Sequence, residues 1–233
     1  MLVKTRAIAL HYVKYSESSI IACLYTEKFG RQSYIINAVR KKRPAVPPSF
    51  FLPLTLLETD VYYKSGRDIQ RIKEMTCLLH FHSIPFQVVK STIALFIAEL
   101  LYKTLKEEET NPALFDFLIH AIQLLDIKDE GIQNFHLVFL LHFMKFLGIY
   151  PFHPETEGMK NYLPVFNLPP DAGAGEKKGL EQLIRSSLSQ LGEISLTHKT
   201  RSFLLERIME FYRIHLDQVT GMRSLQVLKE VFQ

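Results

Sequence analysis

The sequence predicts an α+β chain: a small β-barrel followed by a helical domain. Two observations lead there. The apolar pattern has a period of two up to about residue 80 and of about 3.6 beyond it. The net positive charge sits in the first stretch. Residues 1–80 hold 13 Lys and Arg against 6 Asp and Glu, a balance of +7, whereas residues 81–233 hold 15 against 18, a balance of −3. Such asymmetry is expected when one module faces phosphates and the other does not. Two cysteines exclude a disulfide scaffold or a multi-thiolate metal cage. Lys4 and Arg6 interrupt any signal-like start, and no apolar run approaches about 20 residues, so a cytoplasmic protein with no membrane span is expected.

Five strands are predicted, at residues 5–15, 19–26, 31–37, 56–64 and 69–75, each rich in β-branched or aromatic side chains. Gly30 and Gly66 sit in the turns at 27–30 and 64–68, where glycine permits a positive φ. Five short strands, a tight turn after the second and a long loop after the third fit an OB-fold barrel, an architecture with a nucleic-acid-binding face. Residues 1–80 are therefore expected to form an OB-fold nucleic-acid-binding domain.

Helices follow in residues 81–233. Ser83 is expected to cap the first, with Pro85 in its first turn and Ile93, Phe96, Ile97, Leu100, Leu101 and Leu105 on one face. That helix runs out in the acidic stretch 107–109. Asn111 and Pro112 repeat the start signal before the stripe Leu114, Phe115, Leu118, Ile119, Ile122 and Leu125. Residues 132–147 are apolar almost all round, which requires burial in a bundle, and Gly148 ends them as a C′ residue. Residues 149–176 hold five prolines and three glycines and read as an irregular loop. Helices are expected at 180–191, at 197–216 with Leu204, Leu205, Ile208, Phe211, Tyr212 and His215 inward, and at 225–232.

The chemistry concentrates in the barrel. Residues 37–48 contain four consecutive cations, Arg40, Lys41, Lys42 and Arg43, running into prolines. Most charge runs are solvated turns, but four adjacent cations repel one another unless an anion meets them, and their module is already at +7. Single- and double-stranded DNA becomes the leading partner. Lys14, Arg31, Lys64, Arg67, Arg71 and Lys73 are the other barrel cations expected to join a contiguous positive groove. Tyr12, Tyr15, Tyr25, Tyr34, Tyr62 and Tyr63 are candidates for stacking on bases, each weighed against ordinary core or edge packing. Nothing specifies catalysis. The histidines His80, His82, His120, His136, His142 and His153 form no metal set, residues 173–178 lack the ending of a phosphate loop, and the carboxylates are scattered, with no cluster in the barrel. No enzyme, cofactor or metal is expected.

Laid out in order, these pieces resemble the RecO family of bacterial recombination mediators over nearly the whole chain. They are Tyr15-Ser16-Glu17-Ser18 after the first strand, Tyr25-Thr26 with Gly30, the block Arg40–Arg43, Leu52-Pro53-Leu54 with Leu57-Glu58, Glu99-Leu100-Leu101, Phe146-Leu147-Gly148 with Pro151, and Arg223-Ser224-Leu225 with Val227-Leu228. Two departures stand out. The family often has Lys-Gly before the basic stretch where this chain has Asn37-Ala38. Many members carry four zinc-binding cysteines after the Leu-Gly-x-x-Pro segment, and residues 152–175 here contain none. That excursion is instead expected to be held by Tyr162, Val165 and Phe166.

The resemblance implies a non-enzymatic repair mediator that anneals complementary strands. With its partner RecR, such a protein helps load the recombinase onto strands covered by single-stranded-DNA-binding protein, and it is nucleoid-associated when active. It also implies that the helical domain takes the acidic, phenylalanine-ended C-terminal tail of the single-stranded-DNA-binding protein, with Lys199, Arg201, Arg207, Arg213 and Arg223 the cations to test. Two other classes compete. A protein adaptor whose barrel never touches DNA would show no salt-dependent affinity for it, and a nuclease would turn DNA over with Mg²⁺. Replacing Arg40, Lys41, Lys42 and Arg43 together by Ala is expected to weaken DNA binding and flatten its log–log salt slope by about 0.9 per lost duplex contact. Anisotropy titrations at two salt concentrations measure both, and no change in either would make the block a bystander.

Overall fold

The computed structural model describes residues 1–37, 39, 46–106, 109–151, 165–169 and 172–232. The chain divides into two compact units, Met1–His82 with Ala94–Ile122, and Ser83–Ile93 with Gln123–Gln233. Compactness thus cuts the chain differently from the change of secondary structure near residue 80.

In the first unit, β1 (Leu2–Lys14), β2 (Ile20–Thr26), β3 (Gly30–Ile36), β4 (Leu56–Tyr62) and β5 (Ile69–Cys77) close into a barrel in the order β1-β2-β3-β5-β4. All neighbours are antiparallel except β3 and β5, which run parallel over Ser33–Ile69, Tyr34–Gln70 and Ile35–Arg71. Gly30 and Gly66 adopt φ of 58° and 72°, as their turns require. Small residues make the interior possible. Ala22 pairs across from Tyr34, so the methyl leaves room for a phenol ring that is fully buried. Ala7, Ala9, Leu24, Leu57 and Val61 complete that core. A bulge between Ala9 and His11 bends the long β1 around the barrel. Phe29 and Tyr63 stack at 4.0 Å where β1 begins.

Six α-helices follow among the described residues: α1 (Val88–Thr104), α2 (Pro112–Ile127), α3 (Phe135–Phe143), α4 (Ala174–Arg185), α5 (His198–His215) and α6 (Arg223–Val231). Asn111 caps α2 through its side chain (Leu114 N to Asn111 Oδ1, 3.0 Å), and Thr197 caps α5 in the same way. The apolar stretch is buried as its composition demands, but only 135–143 is α-helical. Gly148 at φ 67° closes it, with Ile149 N donating to Met144 O.

Two expectations need correction. Ser83 does not cap α1: its carbonyl accepts from Phe86 and Gln87 in a separate turn, and the helix begins at Val88. The helix expected at 180–191 runs over Ala174–Arg185 instead, with only its first residues inside the segment taken for loop. Glycines argue against a helix locally, yet Gly179 sits at a close packing contact. A Cβ there would lie 2.7 Å from Leu196 Cδ2 and 3.2 Å from Thr200, so its absence lets α4 lie against α5. Of the residues expected to hold the Pro-rich excursion, Phe166 is buried against Phe211 (5.1 Å), Val165 is half-buried, and Tyr162 lies outside the described residues.

The second unit is held by polar anchors as well as by its core. Lys90, 1% exposed, donates to Ser83 Oγ (2.8 Å) and the Asp126 carbonyl (2.9 Å) and pairs with Asp129 (2.8 Å). Asp126 in turn accepts from the Ser83 and Ile84 amides, both at 2.9 Å. Tyr212 donates to Leu140 O at 2.8 Å. His136 is buried in α3 beside Phe232, and burial, aided by Arg201, pushes its pKa down to about 3.

The His136 imidazole is therefore neutral in the fold at every pH above about 3, whereas the unfolded chain binds that proton below about 6.5. The contribution to stability is complete above pH ~6.5 and falls by up to about 1.4 kcal/mol for each unit below it. Urea unfolding between pH 6.5 and 5 is expected to show this slope, and His136→Asn to flatten it.

Candidate nucleic-acid interface

Arg31 was expected at the phosphate backbone, but its guanidinium is engaged within its own unit. Nε donates to Cys23 Sγ (3.2 Å), Nη1 donates to the Leu105 carbonyl (3.1 Å), and the plane lies 4.7 Å over the Tyr102 ring. Arg6, on β1 at the far side of β2, is held similarly. It forms a two-point pair with Glu27 at 2.9 and 2.7 Å and lies 5.1 Å over Phe115, which also meets Tyr25 at 6.1 Å. The hydrogen bonds from Arg6 hold the Glu27 carboxyl below its usual range, while burial pushes the Cys23 thiol up despite Arg31. The β2–β3 face is the one OB-folds offer to nucleic acid. Here Tyr102, Leu105 and Phe115 of the same unit occupy much of it.

Open barrel surface lies elsewhere. At the mouth where β1 ends, Tyr12 (46% exposed) and Lys14 project from the same side of the strand, with Tyr15 (62% exposed) next along. Phe51 of the 3₁₀ turn Pro48–Phe51 supports the Tyr12 ring at 6.2 Å. The β1–β2 turn is braced by Tyr15 N and Ser16 N donating to Ser19 O, and Ser19 Oγ donates to Asn37 Oδ1 at 2.9 Å. Asn37 follows β3, and Arg40 comes three residues later in the sequence. Arg40, Lys41, Lys42 and Arg43 themselves lie outside the described residues.

Lys64, Arg67, Arg71 and Lys73 are at or towards the opposite end. Buried Gln70 ties the β4–β5 turn from within, accepting from Lys64 N (3.0 Å) and donating to the carbonyls of Lys64 (2.8 Å) and Arg67 (2.9 Å). This leaves Lys64 and Arg67 exposed on a braced turn. On the outer wall Arg71 pairs across β4–β5 with Tyr62, which is 49% exposed. Farther along the same wall, Glu58, Asp60 and Glu74 surround Lys4.

The strand registers send Lys14 to one end of β1 and Lys64 and Arg67 towards the other, and the four-cation block expected to join them lies outside the described residues. Carboxylates do group on the barrel, although among the described residues no three His, Cys, Asp or Glu side chains are placed to hold a metal ion. Of the candidate tyrosines, Tyr25 and Tyr34 are core, Tyr63 is stacked on Phe29, and Tyr12, Tyr15 and Tyr62 are open.

In the second unit, Arg207 and Arg213 of α5 line a cleft of about 340 Å³ with Lys229 of α6, over Met209 and Leu225. Its charges are largely paired, Arg207 with Glu210 and Lys229 with Glu206, each at 2.8 Å. The other three candidates do not line this cleft: Lys199 and Arg223 are exposed at the starts of α5 and α6, and Arg201 reaches Asn134 at 3.4 Å. No helix among the described residues is long and apolar enough to cross a membrane.

Residues 1–81 match the family model described as Recombination protein O N terminal, and residues 85–152 match Recombination protein O C terminal. Over its full length the chain is 36% identical to the DNA repair protein RecO of Bacteroides fragilis, 35% to that of Phocaeicola vulgatus and 36% to that of Flavobacterium psychrophilum, with every one of these chains covered end to end.

The two kinds of cation separate experimentally. Arg31→Ala is expected to lower the unfolding free energy by about 2 kcal/mol through its lost hydrogen bonds and ring contact, leaving the salt slope of DNA binding unchanged. Lys14→Ala is expected to change stability by less than about 0.5 kcal/mol and to reduce that slope by about 0.7–0.9. Urea unfolding and anisotropy titration decide, and the reverse pattern would put Arg31 on the phosphates.

Proposed function

The chain belongs to the RecO family of DNA repair proteins, and on that premise we propose that it binds single- and double-stranded DNA through its barrel and anneals complementary strands. With RecR it helps load the recombinase onto strands covered by single-stranded-DNA-binding protein, acting in the cytoplasm at the nucleoid. The observation that carries this reading is the barrel mouth, where exposed Tyr12 and Tyr15 flank Lys14 beside Asn37, shortly before the sequence's four-cation block. Aromatic rings stack on any base and cations follow the phosphates, so such a surface holds a strand with little regard to sequence.

Annealing needs no bond chemistry and so no catalytic residue. Neutralising two backbones lowers the repulsion between strands, and base pairing does the rest. In the second unit, the α5–α6 cleft offers Arg207 and Arg213 over an apolar floor. That combination suits the acidic, phenylalanine-ended tail of the single-stranded-DNA-binding protein, whose ring needs a pocket and whose carboxylates need a cation.

Replacing Tyr12 and Tyr15 by Ala is expected to weaken oligothymidine binding by about tenfold or more, since each stacked base contributes about 1–3 kcal/mol. Filter binding at two salt concentrations measures it. Wild-type protein with no salt-dependent affinity for DNA would replace this reading with the protein adaptor.

A further inference from the structure

The α5–α6 cleft holds more negative charge than an anion site requires. Three cations, Arg207, Arg213 and Lys229, line it together with two carboxylates, Glu206 and Glu210, so its balance is only +1. Both carboxylates are placed by the helices. Glu210 takes Arg207 Nη1 at 2.8 Å one helical turn away, and Glu206 reaches from α5 to Lys229 of α6, also at 2.8 Å. Partly exposed pairs of this kind stabilise a fold little, so stability is a weak account of two of them in one cleft.

The cations are nonetheless set to meet an oxygen ligand. Arg207 is only partly used: its guanidinium lies 5.8 Å over Phe203, and its buried Nε has no hydrogen-bond partner among the described residues. A planar carboxylate meeting the guanidinium edge-on would satisfy that donor in a two-point pair. Arg213 is exposed on the same helix and makes no ion pair among the described residues. The floor is apolar, and the Met209 thioether suits an aromatic ring. These features fit a peptide that joins an aromatic side chain to carboxylates. They fit a nucleic acid less well, because an apolar floor leaves the polar edges of a base without hydrogen bonds. Three cations without counterions would attract its phosphates all the same.

We propose that Glu206 and Glu210 are specificity residues: they hold the cleft near neutrality, so that it takes an acidic, phenylalanine-ended peptide and turns away nucleic acid. This rests on the peptide-binding reading of the cleft above and adds how the cleft avoids a polyanion. A repulsive element discriminates by penalising the wrong ligand rather than by improving the right one. The peptide offsets the repulsion with its buried ring and with carboxylates that reach Arg207 and Arg213. A phosphate backbone has only its charge to offer. With both carboxylates neutralised, the three cations would stand at +3 and follow a backbone as any basic patch does.

The test is a calorimetric titration of the full chain with the unlabelled tetrapeptide Asp-Asp-Asp-Phe, alone and with a saturating oligothymidine of about 12 nucleotides. In the wild type the strand is expected to change the peptide affinity by less than about threefold, since charge held elsewhere is screened. Glu206→Gln with Glu210→Gln keeps the side-chain shapes and removes both charges. That variant is expected to bind the peptide more tightly alone and to lose about tenfold or more of that affinity to the strand. Its log–log salt slope for oligothymidine should steepen by about 0.7 for each cation set free. Glu206→Asp with Glu210→Asp keeps the charge and is expected to exclude the strand as the wild type does. Displacement of the peptide from the wild type, exclusion retained by the glutamine variant, or exclusion lost by the aspartate variant would each overturn the proposal. A wild type that binds no peptide would instead remove the reading beneath it.

Discussion

Closure of the barrel rests on a short parallel seam, in which Ser33, Tyr34 and Ile35 of β3 lie beside Ile69, Gln70 and Arg71 of β5. Every other neighbouring pair of strands is antiparallel and much of that pairing is local, so this seam is what turns a meander into a closed surface. Closing it fixes which residues share a row. Val13, Ile21, Ile35, Arg71, Tyr62 and Leu2 follow one another across the strands on the outer side. The positions of the cations, and hence the surfaces open to a polyanion, are consequences of that geometry.

Positive charge in the amino-terminal third thus has two distinct uses. Arg6 and Arg31 act as planar cross-links, each combining hydrogen bonds with an aromatic face inside the unit. A guanidinium suits this because it stacks and donates in its own plane at once. Lys14, Lys64, Arg67, Arg71 and Lys73 are exposed instead. A sum over residues 1–80 counts both kinds alike. Lys90 makes the same point in the second unit, where a buried ammonium is satisfied by a hydroxyl, a carbonyl and a carboxylate and contributes nothing to a surface field.

Much of the architecture was legible because local rules and the fold agree. Alternation marks all five strands, Gly30 and Gly66 sit at left-handed turn positions, Asn111 caps the helix it precedes, and Gly148 terminates the apolar stretch. Legibility failed where a distant partner overrides a local signal. Ser83 has the look of a cap, but Lys90 and Asp126 claim it, and α1 starts five residues later. Gly179 argues against a helix until the close approach of Leu196 and Thr200 is known. At the candidate site the residue types were readable and their grouping was not. Nothing in the order of residues says that Arg31 meets Leu105, that Gln70 braces the turn bearing Lys64, or that Glu58, Asp60 and Glu74 share a wall. Those are facts of register and of contacts between residues far apart in the chain.

Hydroxyl-radical footprinting of the tyrosines, with and without saturating oligothymidine, bears most directly on where the barrel meets DNA. Protection of Tyr12, Tyr15 and Tyr62, with Tyr102 unchanged on the helix-covered wall, is the result these surfaces require. Protection confined to Tyr102 and its surroundings, or no change at any barrel tyrosine while DNA is bound, would contradict the assignment of both open surfaces.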